Sequence, residues 1–118
     1  MKKESDTLRT ILWVEPALCE RMGKLCMEAD PSLPRDQAVF DEEVTFSDGM
    51  RMAVQVISPT QPELEPCWTQ GVLFDEHGCE RGCTEVGERF CGEYSVLCDG
   101  MTYTVEVCAG SRSTAPTV

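Results

Sequence analysis

Glu93-Tyr94-Ser95-Val96-Leu97-Cys98-Asp99-Gly100-Met101-Thr102-Tyr103-Thr104-Val105-Glu106-Val107-Cys108 carries the clearest β-hairpin pattern in the chain. Two runs rich in β-branched and aromatic residues flank Asp99-Gly100. That dipeptide suits a two-residue type I′ turn, in which both central residues take positive φ. The turn fixes the register. Cys98 falls opposite Met101, Val96 opposite Tyr103 and Tyr94 opposite Val105, which makes one apolar face. The other face sets Ser95 against Thr104 and Glu93 against Glu106. Counted outward, Cys91 meets Cys108 at a non-hydrogen-bonded site, where side chains approach most closely.

Upstream, 38–46 and 50–57 flank Ser47-Asp48-Gly49. A two-residue turn would set Phe46 against Arg51 and Val44 against Ala53. A three-residue loop sets Phe46 against Met50, Val44 against Met52 and Phe40 against Val56. Matching apolar with apolar selects the second register and places Gly49 at the left-handed position of a type I turn plus bulge. Asp41, Glu43 and Thr45 then lie on the solvent side.

Between these hairpins, Pro59, Pro62 and Pro66 with Glu63 and Glu65 form an acidic loop. Trp68–Phe74 reads as a strand, Asp75-Glu76-His77-Gly78 as a turn, and 79–86 as the returning strand. Near the N-terminus, Leu8, Ile11, Leu12, Leu18, Met22, Leu25 and Cys26 recur at helical spacing, interrupted by Pro16. Proline suits a first helical turn, so the spacing predicts a helix over 16–29, ended by Asp30-Pro31-Ser32-Leu33-Pro34. Residues 10–14 read as a separate short strand or a preceding helical turn. The expectation is an α+β fold, with an N-terminal helix packed on an antiparallel meander of about six strands in three hairpins. One domain spans 1–110, and 111–118 is expected to be a frayed C-terminal tail.

The charge is lopsided. The 118 residues hold 21 Asp and Glu against 10 Lys and Arg, a formal −11, yet 42% are hydrophobic, enough to fold. Residues 31–110 hold fifteen of the acids against Arg35, Arg51, Arg81 and Arg89. Such a body repels nucleic acid and anionic membranes and is attracted to basic surfaces. The apolar run 11–14 is too short for a secretory leader, and no stretch reaches a membrane span, so a cytoplasmic protein is expected. In size and charge the chain resembles small phage or mobile-element inhibitors, anti-CRISPR proteins among them. The resemblance lies in composition and implies an inhibitor that mimics nucleic acid on another protein's basic site.

The candidate contact residues are Asp41, Glu43, Asp48, Glu63, Glu65, Asp75, Glu76, Glu93 and Glu106, read together as one negative surface. Glu93 opposite Glu106 is a like-charge pair that costs stability unless a basic partner relieves it. Trp13 and Trp68 read as core or rim anchors.

Eight cysteines in a reducing compartment point to free thiols or metal ligands rather than bridges. Cys-x-x-Cys does not occur. His77, Cys79, Cys83 and Cys91 make a conceivable zinc set, but on a strand Cys79 and Cys83 stand about 13 Å apart, too wide for one ion unless the chain bends at Gly82. The simpler reading is small buried hydrophobes. Cys19 and Cys26, seven apart, share a helical face and read as core thiols. The single histidine sits in a turn, and no Gly-rich phosphate loop, Gly-x-Ser-x-Gly or His-Glu-x-x-His occurs, so no enzyme is expected.

The function expected is therefore a small, acidic, non-enzymatic binding protein, monomeric or homodimeric, whose partner is a basic protein surface. Its alternative is a zinc- or thiol-containing structural module of a larger assembly.

Overall fold

The computed structural model describes residues 6–110; the tail expected over 111–118 lies outside the described residues. The order is β1 (Asp6–Val14), α1 (Pro16–Leu25), β2 (Ala38–Thr45), β3 (Arg51–Ile57), β4 (Trp68–Phe74), β5 (Glu80–Cys83), β6 (Gly92–Cys98) and β7 (Met101–Ala109).

The C-terminal hairpin has the register read from its turn. Cys98 pairs with Met101, Val96 with Tyr103, Tyr94 with Val105 and Glu93 with Glu106. Asp99 and Gly100 both take positive φ, 51° and 80°, as a type I′ turn demands. The β2–β3 hairpin also follows its matched faces. Val44 pairs with Met52 and Phe40 with Val56. The Phe46 N–H donates to the Met50 carbonyl at 2.7 Å, and Gly49 sits at φ 93°. β4 occupies the expected residues, while β5 is cut to four and bulges between its pairs with Leu73 and Phe74. Beyond β5 the chain stays beside β4, where Gly87 and Thr69 exchange backbone bonds of 2.8 and 2.9 Å.

The expectation of one six-stranded meander is corrected. Seven strands among the described residues form two sheets, β1-β7-β6 and β2-β3-β4-β5. The seventh strand is β1, which lies parallel to β7 from Asp6↔Met101 to Val14↔Ala109. A parallel pair needs a long crossover, and here it is nearly the whole chain. The four-stranded sheet is antiparallel throughout.

The two sheets pack face to face. Leu12, Val14, Tyr94, Val96, Tyr103, Val105 and Val107 of one share a core with Phe40, Met52, Val54, Val56 and Leu73 of the other. A Cβ built on Gly71 would fall 3.3 Å from that of Tyr94, and Phe46 meets Tyr103 edge-on at 5.0 Å. The second sheet therefore covers the face assigned to the helix. The helix itself ends at Leu25, four residues short of the predicted stop. Cys19, Met22 and Leu25 face the core, and the Leu25 carbonyl accepts the Cys67 N–H at 2.8 Å, tying the helix to the entry of β4.

Candidate interaction surface

The nine carboxylates do not make one face. Asp41 and Glu43 lie on the outward side of β2, and Glu93 and Glu106 on the outward side of the other sheet, across the core. Asp48 and the pair Asp75 and Glu76 stand in the two hairpin turns, and Glu63 and Glu65 in the proline loop. The single continuous surface is thus replaced by acids distributed around the sandwich.

Many of the nine have partners within the chain. Glu43 meets Arg51 at 3.3 Å and Glu63 meets Arg35 at 3.4 Å. Asp41 accepts from the Gln55 amide at 3.3 Å. Asp48 accepts the Met50 N–H at 3.0 Å and the Tyr103 hydroxyl at 2.6 Å. Burial first, then that bond to Asp48, pushes the Tyr103 phenol up to about 12. Asp75 organises its turn by accepting the backbone N–H of His77 and of Cys79, both at 2.9 Å. The Cys79 bond is the main cause that holds its carboxyl below the ordinary range. Glu76 lies 3.7 Å from His77.

The like-charge pair is relieved internally. Arg9 of β1 is ion-paired with Glu93 and lies 4.0 Å from Glu106, and these carboxylates raise the guanidinium further above its ordinary value. The need for an external cation at this pair disappears, because the parallel strand brings its own.

Of the nine, Glu65 is left over, with acids outside them. Glu42, Glu65, Glu80, Glu85 and Glu88 are exposed and take no part in any ion pair among the described residues. Two of them, Glu85 and Glu88, join Glu93 along a groove of about 840 Å³ where the edge of β6 faces the chain running beside β4. Thr69 and Tyr94 line it too, and Arg89 is its one basic side chain. The Tyr94 hydroxyl fixes that wall by sharing its one proton between the carbonyls of Phe90 at 2.6 Å and Arg89 at 3.1 Å. Sequence reasoning missed Glu85 and Glu88. The only local sign was two acids astride Gly87, and it is the bridge of Gly87 to Thr69 that sets them opposite β6.

The proposed zinc set is not assembled. No group of three or more His, Cys, Asp or Glu among the described residues is placed to hold a metal. Cys79 and Cys83 are exposed at the two ends of β5, and Cys91 is exposed just ahead of β6 in the other sheet. The hairpin ladder ends at Gly92↔Val107, one step short of the expected Cys91–Cys108 pair, whose thiols interact electrostatically from outside it. Both interact with Cys19, whose thiol is pushed up to about 12, chiefly by burial and then by Cys91. Cys26, up to about 11 from burial, neighbours Cys67, and all eight thiols are free. Trp13 and Trp68 are half-buried.

No protein-family model, curated protein or solved structure matches this chain. No helix among the described residues is long and apolar enough to cross a membrane.

Proposed function

We propose that this protein is a non-enzymatic binding protein that engages a basic protein surface, in the manner of an inhibitor occupying another protein's nucleic-acid site. The observation that carries the reading is a group of exposed carboxylates with no ion pair among the described residues, Glu42, Glu65, Glu80, Glu85 and Glu88. Folding does not need them, since the carboxylates that shape turns and ladders are others. Uncompensated acids steer a basic partner to the surface and fix its orientation.

The test is a panel of purified basic nucleic-acid-binding proteins, titrated across a salt series. Binding should weaken steeply with salt and be competed by the partner's own nucleic acid. Glu42→Lys and Glu85→Lys should weaken it more than Trp13→Phe. Binding that ignores salt, or that Trp13→Phe weakens more than either charge reversal, refutes the reading.

A further inference from the structure

The free edge of β6 runs along the acidic groove, and the two features together define an occupant. In the type I′ hairpin, Cys98, Val96, Tyr94 and Gly92 exchange backbone hydrogen bonds with β7. The N–H and C=O groups of Glu93, Ser95 and Leu97 therefore point the other way. β6 is the last strand of its sheet, and no backbone or side-chain bond among the described residues reaches those groups.

The edge is also unguarded. β2, an edge of the other sheet, carries Asp41-Glu42-Glu43 and a bulge between Ala38 and Phe40, both devices that discourage a further strand. β6 carries one charge, Glu93, ahead of Ser95 and Leu97, and Leu97 is 65% exposed. Opposite this edge the groove presents Glu85 and Glu88, with Glu93 at its near rim and Arg89 alone in opposition.

We infer that an extended, Lys- or Arg-bearing segment of the partner adds a strand to β6, with its main chain paired to Glu93, Ser95 and Leu97 and its cations beside Glu85 and Glu88. Main-chain pairing supplies the affinity and the acidic rim selects a basic strand. A second copy of this chain is the disfavoured occupant, because each copy carries −11. The inference rests on the acidic-binding reading above and assigns it a place.

The probe is a short synthetic peptide alternating lysine with threonine or valine, blocked at both ends, with a twin carrying glutamate for lysine. Backbone amide NMR with hydrogen exchange follows the full chain. The lysine peptide should slow exchange at Glu93, Ser95 and Leu97, and the glutamate twin should not. Ser95→Pro removes an outward N–H on an edge strand, where proline is tolerated. It should weaken the lysine peptide by about five- to tenfold, the worth of one lost hydrogen bond, while the ladder between β6 and β7 stays and the Ser95–Thr104 hydroxyl bond of 2.8 Å is given up. Should Ser95→Pro disturb the hairpin, the double variant Glu85→Gln, Glu88→Gln decides: it should weaken binding and flatten its salt dependence.

Peptide-induced resonance changes at Asp41 and Glu43 with unchanged exchange at 93, 95 and 97 would overturn the inference and leave the acidic-binding reading standing. So would a basic protein partner whose affinity Ser95→Pro does not touch. Concentration-dependent protection of the same three amides without peptide would overturn it in favour of a second copy. If basic proteins and the lysine peptide alike fail to bind at low salt, the inference and the reading beneath it fall together.

Discussion

Tyr94→Phe separates the two jobs of one hydroxyl. The ring is 6% exposed and packs into the core, while the hydroxyl donates to the carbonyls of Phe90 and Arg89. Phenylalanine keeps the ring and removes one O–H donor; the Arg89 carbonyl still accepts the Thr69 hydroxyl at 3.3 Å, so the Phe90 carbonyl carries the loss. At about 1 kcal/mol for a net hydrogen bond, and somewhat more where a buried carbonyl loses its partner, the variant should be less stable by about 1–2 kcal/mol near pH 7. The midpoint of thermal unfolding should fall by about 4–8 °C. The alkaline arm is more decisive. Burial pushes the Tyr94 phenol up to about 12, whereas the unfolded chain releases the same proton near 10. A raised folded-state value means that this contribution is complete below pH 10 and is lost as pH climbs towards 12. A proton that the fold retains over about two further pH units, at about 1.4 kcal/mol for each, puts up to about 3 kcal/mol at stake. The wild type should therefore lose its advantage over Tyr94→Phe between pH 10 and 12, and the gap should close or reverse. Tyr103 also titrates high, but it does so in both proteins and cancels in the difference, whereas the Cys19 and Cys26 thiolates repel the Tyr94 phenolate and belong to the same alkaline loss. Urea unfolding at a series of pH values, with equal denaturant slopes, measures it. A gap that stays constant through pH 12 refutes the placement of this hydroxyl in the core.

Three further outcomes follow from the packing. Gly71→Ala puts a Cβ 2.9 Å from the Met52 sulfur and 3.3 Å from the Tyr94 Cβ, so urea unfolding should show a loss of about 1–3 kcal/mol from overpacking between the sheets. Arg9→Glu turns the cation between Glu93 and Glu106 into a third anion; its unfolding midpoint should fall at low salt and recover as salt screens the repulsion. Alkylation of the native protein, read by peptide mass mapping, should label Cys79, Cys83 and Cys91 first, because they are exposed, and should reach Cys26 and Cys67 only on unfolding, because burial both shields these thiols and disfavours their thiolates.

The hairpin registers are written in the chain. Asp99-Gly100 dictates a turn with two positive φ values, and a two-residue turn leaves one register for Tyr94, Val96, Tyr103 and Val105. Matching Phe40 and Val44 with Val56 and Met52 chose the three-residue loop at Gly49 for the same reason: side-chain alternation and turn chemistry act over a few residues and are written locally. The tertiary structure decided the rest. Nothing in residues 6–14 names 101–109 as a partner, since parallel pairing carries no turn to mark it, and the same apolar residues fit a helical turn equally well. That one long-range pairing takes β1 out of the helical reading and divides the strands into two facing sheets. It also brings Arg9 to Glu93, which answers a charge conflict that looked external from the hairpin alone. The acidic groove is likewise a property of the assembly, because Glu85 and Glu88 reach the edge of β6 only once Gly87 has bonded to Thr69 and the sheets have stacked. Local chemistry fixes each ribbon, and the burial of both apolar faces against each other decides what the ribbons place side by side.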